Sequence, residues 1–563
     1  MEVVQMGHAR VVTLLRRWGG AAPPTIQPEY GPFKSRSVED ARPREAPLYP
    51  AEWGGVVTPA DRLPPAPADR DWPLAGDYVD RGLLGRQILA ADPHRPRYHV
   101  TAPSGWLNDP NGILHHDGKW HLFYQHNPRA GFHADMPWGY LVSEDLVHWT
   151  DRPCAIIPTD GTYDTSGIWS GNAVIDDAGV PTLFYTGVAP GTDGPYQHQL
   201  VCIARTYDGF RTFVKDPANP VIPTTPPGMD LVQYRDPFVW RGRAGSPAKW
   251  LLAIGAGLPG IGGTALVYGS DDLRHWEYLH PMLVGDLTVT SPVSTGTMWE
   301  CPDFFEMDGH GVLLLNAWGV GNHHTVAVTG EMDETGTRLR NGHYSHLDGG
   351  EFYAPQSMWD GNGRRVQWGW LREGRPSAAG TAAGWSGAMS LPRILRVTSD
   401  GHVAGSPAPE LRILRRDHLV LSAPHTTWMH GDSLELELRF DHPFQGRSGA
   451  WVRCSPDDDE RTFAGYDPES GGLIIDRSAS SLDPTGTSIV VITPVTVDTH
   501  SPFTVRIFLD ASVLEVFLED ATGCIANLGA RIYPSRNDSL HSRVDGEAFA
   551  GGDGWVMAGI WPD

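Results

Sequence analysis

A short apolar strand pattern that recurs five times constrains the fold of this chain more than any other feature of the sequence. The runs lie at residues 119–124, 181–185, 249–254, 311–315 and 365–370. Their intervals of roughly 50 to 70 residues suit one four-stranded sheet with long loops per repeat. A polar turn that delivers an aromatic residue follows three of the runs, at residues 143–149, 270–276 and, more weakly, 206–213. Such a turn can close one sheet and pack it on the next, so the repeats predict a five-bladed β-propeller.

The sequence pattern changes after residue 393. Residues 433–440, 503–510 and 512–518 alternate between apolar and polar side chains, which is typical of antiparallel strands with one buried face. We therefore predict an all-β fold, in which a five-bladed β-propeller is followed by a C-terminal β-sandwich. The predicted regions are an N-terminal extension at 1–93, the propeller at 94–395, a linker at 396–414 and the sandwich at 415–563.

Residues 1–93 are rich in proline and glycine and lack the strand pattern. Such a composition does not easily form a compact core. We expect a flexible or surface-draped extension that starts with a short amphipathic helix. The sequence leaves open whether this extension covers a site or takes part in a homo-oligomer.

Composition and spacing argue against several classes of partner. The 44 basic and 67 acidic residues give a formal net charge of −23, which argues against a nucleic-acid partner. The five cysteines show no metal-ligand spacing, and adjacent histidines in a strand point to opposite faces. We therefore predict no metal and no cofactor. No run reaches the roughly 18 apolar residues of a membrane span, and no secretory signal is evident, so we expect a cytoplasmic protein without a membrane partner.

Three carboxylates, Asp109, Asp236 and Glu300, lie in turns that also contain a proline. A surface turn rich in Asn and Asp would account for the first of them without any function. In a propeller, however, the innermost strand of each blade lines the central axis, so residues distant in sequence can converge at one end of the funnel. Three converging carboxylates would suit the roles of acid, base and nucleophile.

The segments around these carboxylates resemble the motifs of glycoside hydrolase family 32, the β-fructofuranosidases. Residues 106–112, 234–237 and 299–302 resemble the first three motifs of that family, and residues 347–356 and 384–393 resemble two more. The resemblance implies a propeller followed by a sandwich. It also implies a retaining glycosidase that releases terminal β-D-fructofuranosyl units from sucrose and short fructo-oligosaccharides.

The resemblance assigns a role to each carboxylate. Asp109 would be the nucleophile, Glu300 the acid and base, and Asp236 the group that holds fructose hydroxyls. Retention of configuration requires two carboxyl groups roughly 5 to 5.5 Å apart. We expect the neighbouring carboxylates to raise the pKa of Glu300, so that it holds a proton near neutral pH. We expect Asp236, beside Arg235, to stay ionised.

The same resemblance predicts the residues that line the fructose pocket: Asn108, Gln125, Trp169, Ser170, Arg235 and Trp385. Two of these have a plain structural alternative. Gln125 could be a satisfied amide at a strand end, and Trp385 could pack between blades. Residues 131–136 depart from the family pattern, which often has Trp-Gly there, so Phe132 or His133 would replace the usual indole wall.

The sequence leaves three other functions open, one of which is a purely structural propeller for protein contacts. A fructosyltransferase would use the same carboxylates and pass the fructosyl unit from Asp109 to a sugar acceptor instead of water. A non-catalytic sugar-binding protein would keep the pocket and lose the chemistry. The sequence does not distinguish β-2,1 from β-2,6 linkages, or short from long substrates.

Overall fold

In the computed structural model, the described part of the chain consists almost entirely of β-strands. The structure describes residues 85–561 apart from 135, 192–193, 320–322, 423, 425–426, 443–445 and 499. The predicted amphipathic helix near the N-terminus lies outside the described residues. An α-helix, Ser377–Ala383, and a 3-10 helix, Pro409–Leu414, interrupt the strands. Within the described residues, no helix has the length and apolar character needed to cross a membrane.

Five sheets follow one another along the first part of the chain, and we call them blades 1 to 5. Blade 1 contains β1 (Gly105–His116), β2 (Lys119–Asn127), β3 (Trp138–Ser143) and β4 (Trp149–Ile156). Blade 2 contains β5 (Gly167–Trp169), β6 (Ala173–Ile175), β7 (Pro181–Gly191), β8 (Gly194–Arg205) and β9 (Val214–Lys215). Blade 3 contains β10 (Val232–Arg241), β11 (Trp250–Leu258), β12 (Gly262–Ser270) and β13 (Glu277–Val284).

Blades 4 and 5 complete this part of the chain. Blade 4 contains β14 (Trp299–Met307), β15 (His310–Trp318), β16 (His323–Met332) and β17 (Leu339–Asp348). The segment after it forms β18 (Phe352–Trp359), β19 (Arg365–Leu371), β20 (Trp385–Ser386), β21 (Ala388–Met389), β22 (Arg393–Val397) and β23 (Val403–Pro407). All of these strands belong to blade 5 except β20, which pairs in parallel with β1 of blade 1.

The five sheets pack on one another in a closed ring. The innermost strand of each blade contacts the next blade, through the pairs β1–β6, β6–β10, β10–β14, β14–β18 and β18–β1. Each recurring apolar run lies in the second strand of its blade, namely β2, β7, β11, β15 and β19. A second strand has a neighbouring strand on each side and a neighbouring blade on each face, which explains why its apolar run is nearly continuous.

Two six-stranded antiparallel sheets form the second part of the chain. One sheet has the order β24 (Arg415–Leu421), β35 (Phe549–Met557), β26 (Ser433–Phe440), β31 (Phe503–Asp510), β32 (Val513–Asp520) and β33 (Gly523–Arg531). The other has the order β25 (Thr427–His430), β34 (His541–Asp545), β27 (Ser448–Cys454), β28 (Arg461–Asp467), β29 (Gly472–Ala479) and β30 (Val490–Pro494). Their facing apolar side chains, such as Leu436 and Ile475, form one core. The predicted all-β fold, a propeller followed by a sandwich, is confirmed.

A buried ionic cluster joins the propeller to the sandwich. The imidazole of His99 lies between two sandwich carboxylates, with Nδ1 2.9 Å from Asp510 and Nε2 3.1 Å from Glu515. The guanidinium of Arg393 bonds Glu515 on one side and Asp348, 3.0 Å away, on the other. All five side chains are inaccessible to solvent. We call these residues the interface cluster.

Residues 85–93, the described part of the predicted extension, pack against the propeller. Residues 85–89 are helical, and Arg86 donates a 2.8 Å hydrogen bond to Asp151 of β4. Asp92 accepts a 2.7 Å hydrogen bond from the indole of Trp385. This segment therefore contacts blade 1 as well as β20, the strand that pairs with β1.

Candidate active site

The three carboxylates lie on the innermost strands of three blades, each at an irregularity in the strand pairing. Asp109 lies on β1, Asp236 on β10 and Glu300 on β14. The register of each strand with its neighbour shifts at this point. A proline follows within two residues in every case, and since proline has no N–H to donate, it cannot continue the ladder. The sequence thus builds a bulge that turns polar side chains toward the axis.

The residue directly before the proline occupies an equivalent place in three blades. These residues are Asp109, Asp236 and Cys301, and the thiol of Cys301 lies 3.7 Å from Asp109 Oδ2 and 3.5 Å from Asp236 Oδ2. Burial raises the pKa of the Cys301 thiol well above its usual value, and the nearby carboxylates raise it further. The thiol is therefore a neutral S–H group that bridges the two aspartates.

Asp109 is held by short hydrogen bonds from its neighbours. Ser170 donates to Oδ2 over 2.6 Å and the Asn108 amide donates to Oδ1 over 3.0 Å. The indole of Trp106 fixes the Asn108 amide with a 2.6 Å bond to its oxygen. Burial raises the pKa of Asp109, partly offset by these bonds. The carboxylate is thus oriented by donors that stabilise its ionised form, as a nucleophile requires.

Glu300 is surrounded by donors. Arg235 Nη2 lies 2.7 Å from Oε1, and the Trp318 indole and the Tyr353 hydroxyl each donate to Oε2 over 2.5 Å. Burial on its own raises the pKa of Glu300, but the Arg235 charge and these hydrogen bonds outweigh it and hold the pKa below its usual value. Sequence analysis missed Trp318 and Tyr353.

Asp236 is the carboxylate with the most strongly raised pKa of the three. Its Oδ2 accepts the backbone N–H of Cys301 over 2.9 Å, and Arg235 Nε stays 3.7 Å away. The pKa of Asp236 is raised to about 7, because the raising effects of burial and of the Glu300 charge outweigh the lowering effect of the Arg235 charge.

The expected order of protonation is therefore wrong. We expected a raised pKa at Glu300 and an ionised Asp236, and the structure has the reverse order. The reason is the direction of Arg235, which forms its short ion pair with Glu300 and not with its sequence neighbour Asp236. Adjacent residues at a bulge point in different directions, and Asp236 has a positive φ of 64°.

The other predicted pocket residues divide into two groups. Gln125 donates from Nε2 to the carbonyl of Ile168 over 3.0 Å, which holds the strand that presents Trp169 and Ser170. The ring of Trp169 lies 5.5 Å from the Arg235 guanidinium. Trp385 belongs elsewhere: it is 1% exposed, its indole bonds Asp92, and the guanidinium of Arg375 lies 4.6 Å from its ring.

The segment that departs from the family pattern contacts the pocket through His133. Its ring meets Trp106 edge to face at 6.4 Å. Burial lowers the pKa of His133 to about 4, so this imidazole is neutral at pH 7. Phe132 contributes its backbone carbonyl, which accepts a 2.8 Å hydrogen bond from Asn127.

Comparison with known proteins gives a consistent result. The family model described as Glycosyl hydrolases family 32 N-terminal domain matches residues 99–407, and the corresponding C-terminal model matches residues 411–560. The chain is 32% identical over 485 residues to a sucrose-6-phosphate hydrolase of Zymomonas mobilis, covering 82% of this chain and 90% of that protein. It is 31% identical over 486 residues to a raffinose invertase of Escherichia coli, covering 82% and 95%.

Two solved structures are similar along most of the chain. A fructan 1-exohydrolase IIa of Cichorium intybus in complex with 1-kestose has a TM-score of 0.72 and 26% identity, covering 83% of this chain and 98% of that one. A β-fructofuranosidase variant of Bombyx mori in complex with sucrose has a TM-score of 0.70 and 25% identity, covering 86% and 98%.

Proposed function

Because the chain belongs to glycosyl hydrolase family 32 and is a β-fructofuranosidase, we propose that it hydrolyses terminal β-D-fructofuranosyl units by two displacements on Asp109. In the first, Asp109 attacks the anomeric carbon while Glu300 gives a proton to the departing glycosidic oxygen. In the second, Glu300 takes a proton from water, which attacks the same carbon and frees Asp109. Two inversions retain the configuration.

One observation supports this assignment above all others: the three carboxylates share their contacts. Cys301 contacts both aspartates, and Arg235 contacts both Glu300 and Asp236. A single furanose ring can therefore reach all three groups. One cation among three buried carboxylates also leaves excess negative charge, which favours the positive charge that develops on the sugar in the transition state.

The position of the proton follows from the pocket charges. The raised pKa of Asp236, about 7, favours a proton on that residue near neutral pH. Hydroxyl groups of a bound fructosyl unit would donate to Asp236 and lower its pKa, since hydrogen bonds to a carboxylate stabilise its ionised form. The proton is then held on Glu300, between two ionised aspartates, where the leaving group needs it.

Trapping the covalent intermediate tests this proposal. In Glu300→Gln, hydrolysis of the ester between the fructosyl unit and Asp109 slows because no base activates water. Given an aryl β-fructofuranoside, whose leaving group needs no proton, this variant should accumulate one anhydrohexose on the peptide that contains Asp109. Added azide should restore turnover and give the fructosyl azide with retained configuration. An adduct on another residue, or an inverted azide product, would contradict the roles assigned here.

The substrates proposed are sucrose and short fructo-oligosaccharides. Sucrose 6-phosphate is a second candidate, because relatives that bear the name sucrose-6-phosphate hydrolase match most of the chain. Comparing kcat/KM for the phosphorylated and plain sugars ranks the candidates. At high sucrose we expect equal amounts of glucose and fructose, and an accumulating trisaccharide would instead assign fructosyl transfer.

A further inference from the structure

A large cavity lies between the outer parts of blades 1 and 2, and it shares no lining residue with the carboxylate pocket. Its volume is about 770 Å³. One wall is a face of blade 1, where side chains of β2, β3 and β4 lie side by side, because His121 pairs with Val142 and Tyr140 pairs with Arg152. The turn between β8 and β9 forms the opposite wall. Since β9 has only two residues, blade 2 leaves this face uncovered.

The charges in this cavity are of one sign. Lys119, Arg152 and Arg211 line it, and none of its lining residues is an aspartate or glutamate. Lys119 has an ion-pair partner, Glu144, 3.3 Å away at the exposed edge. Neither arginine has an ion-pair partner within the part of the chain that the structure describes. Both arginines are solvent-exposed, and in a chain of net charge −23 two guanidinium groups beside one cleft give a local positive potential that attracts an anion.

The remaining walls are aromatic and neutral. Phe210 lines the cleft and stacks on His121 with ring centroids 3.8 Å apart. The Tyr140 hydroxyl lies 2.6 Å from His121 Nδ1. Burial lowers the pKa of His121 to about 4, and burial raises the pKa of Tyr140. Tyr140 and His121 are buried, at 3% and 4% exposure, and Tyr140 stacks on Phe123, so Phe210 is the partly exposed ring of the three, and at pH 7 the wall behind it is uncharged.

We propose that this cavity is a binding site for a sugar phosphate, separate from the site of hydrolysis. Guanidinium groups bind phosphate through paired N–H donors, and aromatic faces suit the apolar side of a sugar ring. The volume lies within the usual range of roughly 300 to 1,000 Å³ for small-molecule sites. Arg152 and Arg211 hold the phosphate, and Phe210 contacts the ring.

Calorimetric titration of the full chain with glucose 6-phosphate tests the proposal. We expect saturable binding that Arg152→Gln combined with Arg211→Gln weakens at least tenfold, with fructose release from sucrose unchanged. The control pair Arg338→Gln with Arg340→Gln removes the same charge from exposed positions on blade 4 and should bind as the wild type does. Glucose alone and inorganic phosphate should each bind more weakly than glucose 6-phosphate.

A cysteine in the same cavity reports where the ligand binds. Cys154 lines the cavity and is half-buried, so glucose 6-phosphate should slow its alkylation in the wild type and not in the doubly substituted variant. The proposal is overturned by absence of binding at roughly 10 mM ligand, by equal binding in the doubly substituted variant, or by equal loss in the control pair. Binding of phosphate as tight as that of glucose 6-phosphate, or binding without protection of Cys154, would overturn it as well.

Discussion

The carboxylate pocket and the interface cluster are two buried sites with the same number of carboxylates and a different balance of charge. In the interface cluster, Asp510 and Glu515 face two cations, His99 and Arg393. Burial opposes charge there, yet Arg393 and His99 hold the pKa of Glu515 below its usual value, and the two carboxylates hold the pKa of His99 above its own. In the pocket, Arg235 is the guanidinium that serves both Glu300 and Asp236.

The two sites differ in how completely hydrogen bonds and ion pairs from the protein satisfy their carboxylates. Asp510 accepts the backbone N–H groups of residues 97, 98 and 99 as well as the imidazole of His99. Glu515 accepts from Leu391, His99 and Arg393. Such a cluster fixes one domain against the other. The pocket keeps excess negative charge and a proton that can move, which is the condition for acid and base catalysis.

The largest effect that separates the two sites should come from Asp109→Asn. We expect kcat/KM for sucrose to fall by about 10⁴-fold or more, because the amide cannot form the covalent intermediate. The unfolding temperature should stay the same or rise, since a buried charge is removed. Asp510→Asn is the matched change in the interface cluster, and it should lower the unfolding temperature. If the two variants exchanged these outcomes, the contrast between the sites would be wrong.

Removing the guanidinium of Arg393 from the interface cluster should destabilise the fold. Arg393→Met leaves Glu515 and Asp348 buried without their shared partner, at a cost of about 3 to 5 kcal/mol in the free energy of unfolding. The exposed pair Arg439 and Asp553, 2.9 Å apart on the sandwich, provides the control, and Arg439→Met should cost about 0 to 1 kcal/mol. Urea unfolding measures both, and equal effects would show that burial of the cluster does not matter.

Much of the fold could be predicted from the sequence, because the second strand of each blade is buried on both faces and leaves an apolar run. The three carboxylates could be found because a proline follows each of them at a bulge. Tyr353 was missed although Tyr353-Ala354-Pro355 follows the same rule, with a register shift in β18. The direction of Arg235 could not be predicted, since bulge geometry sets it.

The pH profile of kcat/KM tests the protonation of the carboxylate pocket, and its expected effect is of intermediate size. We expect kcat/KM to fall at low pH, as Asp109 takes up a proton, and to fall again as pH rises through about 7, where Asp236 loses the proton of the free pocket. Tyr353→Phe removes a donor that stabilises ionised Glu300, so the pKa of Glu300 rises. Because Glu300 and Asp236 share one proton, the alkaline limb should then move to higher pH. A shift to lower pH, or none, would contradict the shared proton.

The smallest effect should come from Cys301. The thiol contacts both aspartates as a weak donor, so Cys301→Ala should lower kcat/KM by roughly three- to tenfold, in keeping with the loss of about 1 kcal/mol from a weak hydrogen bond. Cys301→Ser keeps a donor at this place and should lose less. A loss as large as that of Asp109→Asn would make the thiol a reacting group.

The most direct test is a crystal structure of the Asp109→Asn variant with sucrose bound. The account predicts one fructofuranose ring with hydroxyl groups hydrogen-bonded to Asp236, its glycosidic oxygen within hydrogen-bond distance of Glu300, and the side chain at position 109 facing its anomeric carbon. A fructose ring seated away from Asp236 and Glu300, or a glycosidic oxygen beyond the reach of Glu300, would contradict it.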